Sequence, residues 1–263
     1  MNRDEDVEQC IKAEMKTLYP EEYERVYGPD NDSIERHNTF KKGPFSEWSG
    51  RNNPRSQLDG WGPVDPIHKS IFVHIPKTAG MSIATELGMS CKQCHNSARS
   101  IKNILYEYHF GKKIWLDYFK FSFVRNPWSR VISHICFLAG TFKVEVNPSE
   151  FLMQWMAHGQ IQVKDKFTER ISHMLRCNQL DFLSESEPEE GKLLVDFVGK
   201  FENLQQDFDH VCNQIGIPTR KLPYVNETKK YKHYTEYYNK ETKEFISNMY
   251  TKDIERFNYE FEN

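Results

Sequence analysis

Two stretches of the chain combine residue types that could bind an anion at the end of a buried strand. The first is residues 69–83, KSIFVHIPKTAGMSI, in which a run of apolar residues stops at Pro76 and Lys77 follows. A nearly continuous run of β-branched and aromatic residues is typical of a strand buried on both faces, and proline ends such a strand because it has no backbone donor. Ser82 is a suitable N-cap, so we expect a helix from there to about Leu87. The N-terminal N–H groups of that helix, its dipole and the lysine charge would then attract the same anion.

The residues after Lys77 are small, which would allow a ligand to come close to the backbone of the loop at Thr78, Ala79 and Gly80. An ordinary turn between a strand and a helix that happens to contain a lysine is the alternative. A Walker A loop is a poor match, because its pattern G-x-x-x-x-G-K-[ST] needs a glycine before the lysine that this chain lacks.

The second stretch, residues 119–140, repeats this arrangement in the letters FKFSFVRNPWSRVISHICFLAG. An aromatic strand leads to Arg125, and Asn126-Pro127 then predicts the start of a helix that ends near Gly140. Arg125 would lie at the carboxyl end of the strand and Ser133 two turns into the helix. The guanidinium group offers a fork of donors that matches a phosphate, and the serine hydroxyl could add another donor.

With both stretches in this order, the chain resembles sulfotransferases that use 3′-phosphoadenosine 5′-phosphosulfate (PAPS). The similarity is to the carbohydrate (Golgi-type, family 2) branch that includes heparan sulfate 2-O-sulfotransferase, and it extends over residues 69–262. The resemblance implies that the first loop binds the 5′-phosphosulfate, and that Arg125 and Ser133 bind the 3′-phosphate. It predicts the following donor-binding residues in the first loop: Lys77, Thr78, Ala79, Gly80, Met81, Ser82 and Ile83.

The resemblance also implies a histidine between the two loops that deprotonates an acceptor hydroxyl. His95, ahead of a predicted helix over 97–106, is favoured as this catalytic base, and His109 is the competing candidate. Lys77 would act in catalysis as well, by stabilising the leaving phosphate. His74 and His134, which flank the loops, are interpreted as structural.

Cys91, Cys94 and His95 also spell C-x-x-C-H, the attachment pattern of c-type haem. A non-catalytic haem- or zinc-binding module is therefore an alternative function. Zinc would need further ligands, whereas the other cysteines are scattered singly, so reduced thiols are the simpler interpretation.

A basic cluster near the C-terminus, KKYKH at 229–233, is either a solvated turn or part of the donor or acceptor site. Lys230 is the member that we include among the predicted donor-binding residues, beside Lys229 and Lys232 as weaker candidates.

The formal net charge of −3 over 263 residues argues against a nucleic-acid-binding protein. The N-terminus does not resemble a signal peptide and no apolar run could span a membrane, so we expect a cytoplasmic protein without a membrane partner. Residues 1–66 are predicted to form a helical and irregular N-terminal arm, of which residues 29–66 could instead be a partly disordered tail, and residues 67–263 form the predicted sulfotransferase domain. The oligomeric state stays open.

Strands alternating with helices, and anion loops at the strand ends, predict a three-layer α/β fold with a P-loop-like, mainly parallel central sheet. The predicted reaction moves a sulfuryl group from PAPS to a hydroxyl of a glycan or a small metabolite, without a metal, and leaves 3′,5′-diphosphoadenosine (PAP). A P-loop-like kinase or other nucleotide-dependent phosphotransferase is the second alternative. It would need Mg²⁺ and an aspartate after the second strand, where this chain has Arg125 and Asn126.

Overall fold

A four-stranded sheet organises the computed structural model, which describes residues 62–89, 95–107, 111–158, 177–185, 192–223 and 232–262. The strands are β1 (Val64–Asp65), β2 (Ser70–Val73), β3 (Phe119–Val124) and β4 (Phe197–Lys200), and they lie in this order across the sheet. β1 pairs antiparallel with β2, whereas β2, β3 and β4 are parallel. The sheet therefore begins ahead of residue 67, where the predicted domain starts.

Helices fill the connections between the strands and the C-terminal part of the chain. They are α1 (Gly80–Glu86), α2 (Ala98–Tyr106), α3 (Gly111–Asp117), α4 (Pro127–Phe142), α5 (Pro148–His158), α6 (Gln179–Leu183), α7 (Leu204–Gln214), α8 (Lys240–Met249) and α9 (Thr251–Phe257). Short 3₁₀ turns occupy Phe201–Asn203 and Tyr234–Tyr237.

The strands are buried on both faces, as their continuous apolar runs predict. Phe72 and Phe121 are register partners on one face, where they share a core with α1 and α7. Ile71 and Val73 point to the other face, into a larger core that includes residues of α2, α4 and α8. Helices thus cover both faces of a mostly parallel sheet, which confirms the predicted three-layer α/β fold.

The carboxyl ends of the three parallel strands lie at one edge of the sheet. β2 leads into the loop 74–79, β3 into Arg125 and Asn126, and β4 into the 3₁₀ turn at Phe201–Asn203. Both predicted anion loops are consequently neighbours, together with a third segment to which the sequence analysis assigned no role.

Several predictions concern residues outside the described ranges. These are residues 1–61 of the N-terminal arm, Cys91, Cys94, His109, Lys229 and Lys230.

Candidate functional site

The loop after β2 has a backbone that is uncommon for residues with a side chain. Lys77 and Ala79 have φ angles of 71° and 67°, in the left-handed region. Between them, Thr78 turns its hydroxyl back to donate a 2.9 Å hydrogen bond to the Ile75 carbonyl. Thr78 is fully buried, so this bond holds the loop closed beneath Lys77.

The start of α1 differs from the prediction that Ser82 is its N-cap. The helix begins at Gly80, with Ala79 as the N-cap residue, and the Ala79 carbonyl accepts hydrogen bonds from the N–H groups of Ser82 (2.9 Å) and Ile83 (3.2 Å). The left-handed Ala79 turns the chain early, which places Ser82 inside the first turn. Ile83 packs in the core with Phe72, so its side chain faces away from the loop.

Gly80 is required by a close approach of His74. A Cβ built on Gly80 would overlap the His74 imidazole ring. That ring is buried, stacks on Phe72 with ring centroids 5.5 Å apart, and meets the His95 ring edge-on at 4.6 Å. His74 therefore packs between the loop and the predicted base, which agrees with the structural role assigned to it.

Lys77 reaches across the loop to the helix that follows β3. Its Nζ atom lies 3.8 Å from the centroid of the Phe137 ring on α4. Burial and, to a lesser extent, the nearby charge of Arg125 together lower the pKa of Lys77 to about 8. A bound anion would offset both effects.

Arg125, the predicted second anion-binding residue, lies beside the Lys77 loop. Its Nη1 donates to the Lys77 carbonyl at 3.3 Å, and its Nε donates to the Ser129 hydroxyl at 3.0 Å. The guanidinium group stacks over the Phe201 ring at 4.0 Å. Burial lowers the pKa of Arg125 to about 10, and the Glu202 carboxylate opposes this shift.

One face of α4 contacts both cations, Lys77 and Arg125. Ser129, Ser133 and Phe137 are spaced four residues apart, so they lie along the same face of the helix. Because Arg125 contacts Ser129 and Lys77 contacts Phe137, Ser133 lies between the two cations along this face. Sequence reasoning selected Ser133 alone, although the four-residue spacing also identifies Ser129 and Phe137.

His95 has one ring nitrogen committed to the backbone. Its Nδ1 lies 3.2 Å from the His74 carbonyl oxygen. A carbonyl only accepts, so this bond requires a proton on Nδ1 and leaves Nε2 of the neutral ring as the acceptor. Burial lowers the pKa of His95 and the Lys77 charge lowers it further, whereas the carbonyl bond opposes these effects. The helix α2 begins after His95, with Ser97 as its N-cap.

A C-terminal strap, residues 259–262, holds the segment after β3. The Asn126 N–H donates to Glu202 Oε1 at 2.8 Å, and the Tyr259 hydroxyl donates to Glu202 Oε2 at 3.2 Å. The Asn126 side chain donates to the Glu260 carbonyl at 2.9 Å. Within the strap, Phe261 packs edge-on against Trp128 of α4. These contacts connect the strap to the loop that carries Arg125.

Two further residues singled out in the sequence are Lys232 and His134. Lys232 pairs with Glu236 at 3.1 Å and is exposed. His134 is buried on α4, and its Nε2 has no hydrogen-bond partner among the described residues. Burial lowers the pKa of His134 to about 3, and the charges of Lys77 and Arg130 act in the same direction.

The described ranges contain no cluster of metal ligands and no membrane-spanning helix. Within them, no group of three or more His, Cys, Asp or Glu side chains could hold a metal ion. No helix in the same ranges has both the length and the apolar character needed to cross a bilayer.

Comparison with known proteins assigns the segment that forms this site to a family. Residues 63–138 match the model of the sulfotransferase family, and they contain Lys77, His95, Arg125 and Ser133. This match supports sulfuryl transfer as the class of reaction. An uncharacterized protein of Archaeoglobus fulgidus is 30% identical over 109 residues, which are 41% of this chain and 76% of that protein. No solved structure gives a significant match.

Proposed function

We propose that this protein transfers a sulfuryl group from PAPS to a hydroxyl group of a carbohydrate or a small hydroxylated metabolite. The observation that supports this proposal best is the pair of partly buried cations, Lys77 and Arg125, at the ends of adjacent parallel strands. Burial and nearby positive charge lower the pKa of both groups, so a ligand with negative charge at two points would stabilise them.

The two cations suit the two ends of the donor. Lys77, in the loop before α1, is proposed to bind the 5′-phosphosulfate, where the first N–H groups of the helix are also available. Arg125 is proposed to bind the 3′-phosphate together with Ser133, which lies one helical turn beyond the Ser129 hydroxyl that Arg125 contacts.

In the proposed reaction the acceptor oxygen attacks sulfur as the bond from sulfur to the 5′-phosphate oxygen breaks. His95 Nε2 takes the hydroxyl proton, and PAP leaves with the bonding electron pair. Lys77 stabilises the negative charge that grows on the leaving phosphate. The lowered pKa of His95 keeps the ring neutral near pH 7, the form that can accept a proton.

The function is tested by incubating the full chain with PAPS labelled in the sulfuryl group and a panel of glycans and small hydroxylated metabolites. We expect label in an acceptor, PAP as the second product, and a higher melting temperature with PAP in the absence of magnesium. Stabilisation by ATP with Mg²⁺ and none by PAP would instead support a phosphotransferase.

The role of His95 is tested with an acceptor found in that panel. His95→Ala should lower the rate by roughly 10²–10⁴-fold, the usual contribution of a positioned base, and leave PAP binding nearly unchanged. His109→Ala is the control for His95→Ala and should keep the wild-type rate. A loss of rate in His109→Ala alone would exchange the two roles.

A further inference from the structure

Gln179 at the start of α6 makes an unusual pair of contacts with the backbone of Arg125. Its Oε1 accepts a 2.8 Å hydrogen bond from the Arg125 N–H, and its Nε2 donates a 2.8 Å bond to the Arg125 carbonyl. Arg125 lies just beyond the end of β3, so these backbone groups have left the ladder of the sheet. The side-chain amide of Gln179 acts on them as a neighbouring strand would, because it offers one donor and one acceptor in one plane.

Gln179 is itself fixed by a carboxylate from the C-terminal part of the chain. Asp253 of α9 accepts from the Gln179 backbone N–H at 2.8 Å and from the Leu180 N–H at 2.9 Å. It also accepts from Gln179 Nε2 at 3.3 Å. Gln179 and Asp253 are both fully buried, so water does not compete for these bonds.

The side chain of Arg125 is held less firmly than its backbone. Its Nε contact with Ser129 is 3.0 Å and its Nη1 contact with the Lys77 carbonyl is 3.3 Å, both longer than the 2.8 Å bonds between Gln179 and the Arg125 backbone. The direction in which the guanidinium group leaves the chain is set by the backbone at Arg125. Moving that backbone would displace the guanidinium group relative to Ser133 while leaving the Lys77 loop in place.

We infer that Gln179 is a positioning residue for the 3′-phosphate: it fixes the Arg125 backbone and so determines the preference for nucleotides phosphorylated at the 3′ position. The inference rests on the proposed function. Gln179 does not touch the ligand, and Asp253 supports it by orienting the amide.

The test compares PAP with adenosine 5′-monophosphate (AMP), which differs from it only by the missing 3′-phosphate. Gln179→Met removes both bonds at similar volume. Gln179→Glu keeps the acceptor for the Arg125 N–H but loses the donor, and it gives the comparison where Gln179→Met does not fold. In each variant we expect the ratio of PAP to AMP affinity to fall by about tenfold, with AMP affinity within about twofold of the wild type.

Phosphorus NMR of bound PAP separates a positioning role from a general loss of structure. In the variants the 3′-phosphate resonance should move toward its position in free PAP, whereas the 5′-phosphate resonance should stay. Gln205 is a control, because its exposed side-chain amide also bonds one backbone acceptor and one backbone donor, here of two residues in another loop. Its Nε2 donates to the Arg220 carbonyl at 2.9 Å and its Oε1 accepts from the Leu222 N–H at 3.0 Å. Gln205→Met should leave both the affinity ratio and the spectrum unchanged.

Two results would overturn the inference: folded Gln179 variants that keep the wild-type ratio, or variants in which both resonances move equally. A wild-type protein that binds AMP as tightly as PAP would refute the proposed function and the inference with it. A wild type that prefers PAP, beside Gln179 variants that prefer it equally, would refute the inference alone.

Discussion

If Lys77 binds the donor as proposed, its lowered pKa should make that binding dependent on pH between about 7 and 9. With a pKa of about 8, Lys77 of the free protein is about nine-tenths protonated at pH 7 and about one-tenth protonated at pH 9. An anionic ligand binds the protonated form of Lys77, so at high pH the lysine must take up a proton before the ligand can bind. We therefore expect PAP affinity to fall by about tenfold between pH 7 and pH 9.

Isothermal titration of PAP at several pH values between 7 and 9.5 measures this effect. The phosphates of PAP lose their last protons near pH 6, so their charge changes little in this range. Arg125 has a pKa of about 10 and keeps most of its charge up to pH 9. Binding should also take up protons, and this uptake appears as a heat that depends on the ionisation enthalpy of the buffer.

Variants show whether Lys77 is the group that causes the pH dependence of PAP affinity. Lys77→Met should bind PAP weakly with the same affinity at pH 7 and pH 9, and Lys112→Met, on the exposed side of α3, should keep the wild-type slope. A flat wild-type profile, or a slope that survives in Lys77→Met, would refute the assignment of the 5′ end of the donor to this lysine.

Three further predictions concern stability and the 3′-phosphate. His134 stays neutral in the folded protein, whereas the same side chain in the unfolded chain takes up a proton below about pH 6.5. The contribution of His134 to stability is therefore complete above that pH and is lost as the pH falls toward about 3, so the free energy of unfolding measured in urea should drop by about 2 kcal/mol between pH 7 and pH 5. His134→Leu should remove this drop, and His158→Gln, at an exposed position, should not. Gly80→Ala should lower the unfolding free energy by about 1–3 kcal/mol because of the overlap with His74, and a cost that is equally large in a His74→Ala background would contradict this cause. Arg125→Ala should weaken PAP binding by about 2 kcal/mol or more and Ser133→Ala by about 1 kcal/mol. Equal losses for adenosine 5′-phosphosulfate, which lacks the 3′-phosphate, would exclude both residues from that site.

The parts of the fold that the sequence predicts are those set by burial. Ile71 to Val73 and Phe121 to Val124 are apolar on both faces, and a strand is the element that buries such a short run between layers of helices. Asn126 and Pro127 define the start of α4 through local chemistry, a capping side chain followed by a residue suited to the first turn.

The role of Gln179 could not be predicted from the sequence, because it depends on contacts between distant segments. Gln179 lies 54 residues from Arg125 in sequence, and nothing in its local pattern shows that its side chain replaces a strand. The prediction that Ser82 is the N-cap of α1 was wrong for a different reason. A left-handed alanine is disfavoured by local sterics, so propensity favours Ser82, yet tertiary contacts hold Ala79 in that conformation.

The strap also links completion of the site to the direction of protein synthesis. Arg125 and Asn126 leave the ribosome well before residues 259–262, which supply the Glu260 carbonyl to Asn126 and the Tyr259 hydroxyl to Glu202. A growing chain that has reached α4 can pair β2 with β3, but the Asn126 amide has not yet met its acceptor. Under the proposed function, nucleotide binding would therefore come late in the maturation of this protein, and PAP would report on the last step of folding rather than on sheet formation.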